Sequence, residues 1–567
     1  MELQDRQYLL WDLMLVSNLK MKKMKKNNKF INKWSRRMIA SLFLTTVLFT
    51  SCSEEKTIEL EPFNSIAEGV AFTTPELIQL SVTGMYNAAA LGDYNGGNPR
   101  GYIFGAAFVQ QGDNRGEDAL NLATFYQLTY TGTYDTTSAN NTYYWADGYR
   151  LINRTNIIIE GVTAALQAGT ISQAVADDYI GQAKFFRAIA HNEILIHHAR
   201  PFQDNGGNNP GIPYREIPNN SKANIEASLA QSRNTVAECY TKILKDLDDA
   251  ETLTASKSAR SGTAKIERIT KEAAIAYKTR VYLHMRRWDK VISEGIKLNG
   301  LYTMTANPDT PFASNLTNTE SIFSIAQSAV NNPGANGALA NMYHPPVPAA
   351  TNGRGLVAIS PLIWRNPSWL ADDKRRAEGT MIVTGVTGYY PGTKFTKKYK
   401  DAVNKTDAAP IIRYAEVALN MAEAYARGND MTNGLARLNS VRDRSLALPA
   451  TQAYTLASFG LTDNVALLRA ILTERRIEFV MEGRRWADIS RLQNDNLAPI
   501  VGIPAKVANG GFSSLALATP AYALGTPYTG ALTVNALPYT DFRFIWPIPI
   551  LETNSNPTLR AQQNPGY

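Results

Sequence analysis

The sequence predicts a mainly α-helical fold of tetratricopeptide-like helical pairs, with loop-rich insertions carrying minor β-structure. Two observations predict it. Apolar residues recur at three- and four-residue spacing over long stretches, as in helices that bury one face. These stretches come in pairs separated by short turn signals, as in stacked helical hairpins. No clean 34-residue repeat can be aligned, so the pairing of helices carries the prediction.

In chain order, helical stretches cover Thr74–Ala90 and Tyr144–Ala168. Ile180, Ala183, Phe186, Ala190 and Ile194 then share one face of a helix from about Ser172 to Arg200. Asn234–Leu253, Lys271–Met285 and Trp288–Leu298 follow. Tyr414, Val417, Met421 and Tyr425 form the next stripe, which Gly428-Asn429-Asp430 stops. Leu435, Leu438 and Val441 resume it in a partner helix, and Leu468, Ile471, Leu472 and Phe479 mark a further one. The blocks Leu91–Tyr143, Pro201–Ser221, Asn299–Ala408 and Asp495–Pro547 lack this period. They are too long for mere connections, so they are expected to be functional or to carry small strands.

The N-terminus reads as a leader. A basic stretch from Met21 (Lys22, Lys23, Lys25, Lys26, Lys29, Lys33, Arg36, Arg37) precedes the apolar run Met38–Thr50. That run is short of the roughly 20 residues a spanning helix needs and suits a signal peptide. It ends on Ser51-Cys52, small residues before a cysteine as in a bacterial lipobox. Residues 1–51 are therefore expected to be cleaved, with lipid attached to Cys52 and residues 52–60 serving as a polar tether. Glu2, Asp5 and Asp12 fit no basic leader, which makes Met21 the expected initiator.

Of the 58 Lys+Arg and 50 Asp+Glu, ten and three lie in residues 1–51. The remainder holds 48 basic and 47 acidic residues, so all but one of the eight net positive charges lie in the leader. It gives no support to nucleic-acid binding. The chain has two cysteines. With Cys52 acylated, Cys239 has no disulfide partner, and its place in a helical stretch predicts a small buried apolar role.

Catalytic signatures are absent: no phosphate-binding Gly-rich loop, no nucleophile elbow, no His-Glu-x-x-His. His191-Asn192-Glu193 lacks the Cys-x-x-Cys that a zinc deaminase requires, and His191, His197 and His198 are expected to pack as ordinary side chains. Glu474, Glu478 and Glu482 sit at helical spacing, interleaved with Arg475, Arg476, Arg484 and Arg485, a pattern for ion-pair bracing rather than a glycosidase pair. Asp113-Asn114-Arg115-Gly116-Glu117-Asp118 is oxygen-rich, but its spacing fits no EF-hand. No metal, no cofactor and no enzymatic activity are expected.

Several blocks resemble the SusD/RagB family of outer-membrane nutrient-binding lipoproteins. They run in family order: Leu60-Glu61-Pro62-Phe63-Asn64-Ser65, Ala71-Phe72-Thr73-Thr74, Trp145-Ala146-Asp147-Gly148-Tyr149 and Gln182-Ala183-Lys184-Phe185-Phe186-Arg187-Ala188. Then come Arg268-Ile269-Thr270-Lys271-Glu272-Ala273-Ala274, Arg413-Tyr414-Ala415-Glu416, Asn420-Met421-Ala422-Glu423-Ala424 and Leu438-Asn439-Ser440-Val441-Arg442-Asp443-Arg444. Glu474-Arg475-Arg476-Ile477-Glu478-Phe479, Glu482-Gly483-Arg484-Arg485-Trp486-Ala487-Asp488, Pro547-Ile548-Pro549 and Asn564-Pro565-Gly566-Tyr567 complete the series. Ala199-Arg200-Pro201-Phe202 departs from the family's Gly-x-x-Pro turn, so the loop to Pro213 is expected to differ in shape. Within the matching blocks, Arg187, Glu416, Glu423, Arg475, Arg476 and Trp486 are expected to brace helix packing.

The resemblance implies a SusD-like superhelix, with residues 61–298 as its N-terminal part and 299–567 as its C-terminal part, packed as one globule. It also implies a lipid-anchored outer-membrane protein facing the cell exterior. Such a protein binds a nutrient, an oligosaccharide or another polymer-derived compound, and hands it to a SusC-like TonB-dependent transporter. Two rival functions are a surface glycoside hydrolase and a helical-repeat scaffold for protein partners. Sugar recognition needs flat aromatic faces and fixed polar groups. The expected ligand site therefore lies in the insertions Leu91–Asp118 and Asn299–Trp369, with Tyr94, Asn95, Tyr343, His344 and Trp364 as candidate contacts, and Trp369 beyond them.

Overall fold

Side-chain caps start several of the long helices close to where the apolar stripes begin. The Thr74 hydroxyl accepts from the Leu77 amide, and Pro75 opens α1 (Pro75–Leu91). Ser172 caps α4 (Gln173–His198), which follows α2 (Ala106–Asn114) and α3 (Ala139–Gln167). Thr235 and Glu238 form a reciprocal capping box at α5 (Val236–Leu253). Thr270 caps α6 (Lys271–His284), with α7 (Trp288–Ile296) next. Asn429, at φ 63°, ends α8 (Tyr414–Arg427) in the left-handed conformation that asparagine tolerates. Asp430 then caps α9 (Met431–Arg442). Asp463 caps α10 (Asn464–Glu478), and α11 is Arg485–Arg491.

These elements belong to a computed structural model that describes residues 69–92, 97–346, 352–457 and 460–567. The leader, Cys52 and the tether lie outside the described residues. Glu68–Tyr567 forms one unit. In it α3 packs on α1 and α4, α4 on α5, α5 on α6, α6 on α7 and α8, and α8 on α9 and α10. Each helix covers the apolar face of its neighbour, giving the mainly helical row of pairs. One large core runs through it, with Ile78, Val82 and Met85 of α1, Phe185 and Phe186 of α4, and Ile243 and Leu247 of α5. Cys239 is buried, as expected.

The insertions supply the β-structure. Strand β1 (Ala119–Asn121) pairs antiparallel with β3 (Val357–Ile359), and β2 (Ser321–Ile325) with β6 (Ala409–Arg413). Strands β4 (Ile382–Val386) and β5 (Tyr389–Thr396) form a hairpin. Residues 495–547 contribute only isolated bridges, Ile503 with Leu537 and Lys506 with Val534. Helix α2 escapes a periodicity reading because all its residues are buried, Gln110, Gln111 and Asn114 among them. With no solvent face, it shows no alternation of polar and apolar positions.

Ionic pairs tie the row together. Arg187 of α4 grips Asp246 of α5 with two hydrogen bonds of 2.7 Å and reaches Asn156 of α3. Arg280 of α6 grips Glu416 of α8 at 2.6 and 2.7 Å. Arg491 binds Glu423 twice, and Trp486 donates to the Ile196 carbonyl. Glu474, Glu478 and Glu482 are braced by ion pairs, but not along their own helix. Their partners arrive from other segments: Arg375 and Arg442 on Glu474, Arg375, Arg413 and Arg444 on Glu478, Lys398 and Arg413 on Glu482. The reason is geometric: α10 ends at Glu478, so Glu482 is off the helix, and the neighbouring Arg475 and Arg476 point to Asp488 and Asp118 instead. With Glu320 on Arg413 and Arg444, and Asp373 on Arg375, five cations (Arg375, Lys398, Arg413, Arg442, Arg444) face five buried carboxylates (Glu320, Asp373, Glu474, Glu478, Glu482).

A second junction joins the first insertion to the C-terminal part. A Cβ on Gly112 would sit 2.5 Å from the Gly483 carbonyl oxygen, so only glycine allows this approach. The Gly483 amide donates to Asp113, and Arg476 and Arg485 pair with Glu117 and Asp118.

Replacing Arg413 by methionine keeps the bulk but leaves buried carboxylates short of a cation. The expected loss is about 3–5 kcal/mol of unfolding free energy, read from denaturant titration. Stability should also fall with acid. Burial alone would raise the Glu416 carboxyl, yet Arg280 outweighs it and holds the group down at about 2. A carboxyl depressed below its unfolded value of about 4.3 stabilises the fold above that pH and loses the contribution as pH falls toward 2. Thermal melts from pH 6 to pH 3 check this, and a flat profile would contradict it.

Candidate functional site

The outer face of α1 and the segment that leaves β2 meet where α1 ends. Gln327 donates to the Ala90 carbonyl at 3.1 Å, and Asn331 donates to the Asn87 side-chain oxygen at 2.8 Å. These bonds clamp the second insertion against the helix that leads into the first. Between them lies a cleft of about 300 Å³ lined by Thr83, Tyr86, Asn87, Arg268, Gln327 and Asn331 among others. A second cleft of about 450 Å³ continues along α1 past Gln79, Asp178, Tyr179 and Arg260. Thr83 and Arg268 line both, so the two are halves of one groove.

Arg268 stands at the junction. Its guanidinium lies 4.6 Å from the centre of the Tyr86 ring and makes no side-chain hydrogen bond among the described residues. Tyr86 is fixed from both sides: its hydroxyl donates to Gln182 at 2.6 Å and accepts from the Ile269 amide at 2.9 Å. Burial keeps that hydroxyl un-ionised. Arg260, by contrast, is committed to Asp178 at 2.7 Å, and Asp178 also accepts from Gln182 and the Ala255 amide. The groove thus offers one oriented cation with open donors, several amides and the half-buried ring of Tyr179. Such a set suits a ligand rich in hydroxyl groups.

Of the candidate contacts expected from the sequence, those that the structure describes do not line this groove. Tyr94 and Asn95 lie outside the described residues. Tyr343, His344 and Trp364 were expected as exposed faces; the structure buries all three. Tyr343 donates to Asp113 at 2.8 Å and stacks on Tyr399. His344 meets the Tyr399 carbonyl at 2.7 Å. Trp364 donates to the Tyr522 carbonyl, and Arg376 lies over both it and Trp369. The cause is that this insertion folds into the main core through β3 and short helical turns, so its aromatic side chains fill the interior. Burial pushes the Asp113 carboxyl up to about 7, even though Tyr343 and Gly483 both donate to it.

The other polar clusters also serve the fold. Among the described residues no group of three or more His, Cys, Asp or Glu is arranged to hold a metal. His191 stacks on Tyr214 at 3.7 Å, and His197 on Trp546 at 4.3 Å. Arg268, Asn87, Gln327 and Asn331 were not singled out as site residues from the sequence. The available signal was the amide-rich turn Asn331-Asn332-Pro333-Gly334 inside an insertion already marked as functional.

Comparison with known proteins agrees with this architecture. A family model described as SusD family matches residues 373–567, and one described as "Starch-binding associating with outer membrane" matches residues 68–283. Together they span more than half of the sequence, and the chain belongs to the SusD family. A SusD superfamily protein from Bacteroides fragilis is 26% identical, with 86% of this chain and 99% of that one covered at a TM-score of 0.68. One from Bacteroides thetaiotaomicron is 22% identical, covering 87% and 100%, TM-score 0.66. Surface glycan-binding protein A from Bacteroides uniformis is 18% identical, covering 87% and 99%, TM-score 0.64. At these identities the last two speak for the fold alone. None of the curated proteins compared with the chain matches it.

Proposed function

We propose that this chain is a cell-surface saccharide-binding lipoprotein, anchored through Cys52, that passes its ligand to a SusC-like TonB-dependent transporter without chemically altering it. One observation carries the binding role: the groove along α1, with Arg268 laid on the Tyr86 ring and its donors unused. Hydroxyls both donate and accept, so the guanidinium and the Asn87, Gln327 and Asn331 amides meet them in fixed directions, while Tyr179 supplies an apolar face. Tyr94 and Asn95, expected as contacts from the sequence, remain proposed contacts of the saccharide. The match to a family described as starch-binding supports a saccharide as ligand.

The groove is shallow and few of its groups are buried, which suits micromolar affinity, about −8 kcal/mol, and ready release to a transporter. A hydrolase reading is disfavoured by the carboxylates at helical spacing. Glu474 and Glu478 are buried and bound to two and three arginines, leaving neither free to donate a proton or attack.

Glycan-array screening followed by titration tests the site. Arg268→Ala should weaken the best-bound oligosaccharide by about 1.5–3 kcal/mol, the worth of hydrogen bonds from a charged donor. Unaltered affinity would move the site away from the groove. Cys52→Ala should shift the protein from the membrane fraction to the soluble one; retention in the membrane would contradict the anchor.

A further inference from the structure

A separate cleft of about 590 Å³ opens where the C-terminal segment meets the start of α5. Arg233 forms part of its wall. It donates to the carbonyls of Gly211, Pro210, His198 and Gln562 and to the side-chain oxygen of Asn564, and none of these is a carboxylate. Burial lowers this guanidinium to about 10, and among the described residues no carboxylate pairs with it. Arg200, on the same cleft, donates to the Tyr539 and Asp541 carbonyls and lies 4.7 Å from the Tyr539 ring centre. It too has no carboxylate within ion-pair distance among the described residues, although its charge reaches Asp541. Nearby Asp541 is taken by Arg543. The lining carboxylate, Asp204, accepts from the Tyr539 hydroxyl and offsets one of the two arginines. Glu238, which accepts from the lining Asn234 side chain and the Thr235 amide, is a second carboxylate beside the cleft, but among the described residues neither Arg200 nor Arg233 pairs directly with a carboxylate.

The remaining lining is polar and available. The Gln562 amide nitrogen, the Thr540 hydroxyl and the side-chain oxygens of Asn208 and Asn209 enter no internal hydrogen bond, although Asn208 and Asn209 use their nitrogens on neighbouring carbonyls. Donors and acceptors are therefore mixed, which fits hydroxyls better than a bare anion. Phe542, 39% exposed, adds an apolar surface at the same place.

We propose that this cleft is a second saccharide site, selective for a sugar bearing a carboxylate. The carboxylate would lie by Arg200 in the field of Arg233, the ring hydroxyls against Thr540, Gln562 and the asparagines, and the apolar ring face on Phe542. The site is independent of the α1 groove: it shares no lining residue with it.

The test titrates an oligogalacturonide and a malto-oligosaccharide of equal length into the purified protein and its variants. Expected is binding of the acidic probe that weakens roughly tenfold in Arg200→Gln, and comparably in Phe542→Ala, while Arg268→Ala leaves it intact. Its affinity should also drop with added salt, because the attraction is ionic and partly exposed. Gln562→Ala, a lining change that removes no internal side-chain donor bond, covers the case in which Arg200→Gln fails to fold. No acidic binding overturns the proposal, as does equal binding of the neutral probe at the cleft. Acidic binding that vanishes in Arg268→Ala and persists in the cleft variants assigns it to the groove and also overturns the second site.

Discussion

The buried carboxylates around Arg413 are the constraint on which the rest depends. A charge taken out of water costs several kcal/mol unless partners surround it, so each of these groups dictates where its partners must be. Glu478 alone draws in Arg375, Arg413 and Arg444, from three separate segments. Burial would raise its carboxyl, and the guanidinium groups outweigh that and hold it ionised. Arg413 ends β6, and its partner Glu320 immediately precedes β2, so the same cluster registers the two-stranded sheet. From β2 the chain runs directly into Ala326–Asn331, the wall of the groove. The ion cluster therefore reaches the surface through one short sheet.

The division of labour follows from that rigidity. Helix pairs joined by Arg187–Asp246 and Arg280–Glu416 form an unyielding frame, and the close contact of Gly112 with Gly483 locks the first insertion to it. Groups that must meet a changing ligand sit at the rim, where amides and half-exposed rings pay little desolvation in either state. Arg268 differs from the structural arginines in this respect. It stacks on an aromatic ring, yet meets no carboxylate among the described residues, and its donors stay open to whatever enters the groove.

Most long helices were legible because their causes are local. The α4 stripe from Ile180 to Ile194 and the Ser172 cap both lie in contiguous sequence, and the helix spans Gln173–His198 against an expected Ser172–Arg200. The stop at Gly428-Asn429-Asp430 was equally local. Helix α2 was not legible, since a fully buried helix has no polar face to set the period. The acidic–basic interleaving of 474–485 signalled bracing correctly but hid the partners, which lie on other segments.

The sequence by itself determined the helical class, the turn at Gly428-Asn429-Asp430 and the ordered blocks of family likeness, all of which are written in short stretches of chain. Only the tertiary structure decided which polar and aromatic groups face solvent. Tyr343, His344 and Trp364 have the composition of a binding patch and became core, because exposure is a property of what packs around a residue. Arg268 has the look of an ordinary helix-flanking cation. It becomes a candidate ligand contact because Tyr86, far away in the chain, is held beneath it by Gln182 and the Ile269 amide.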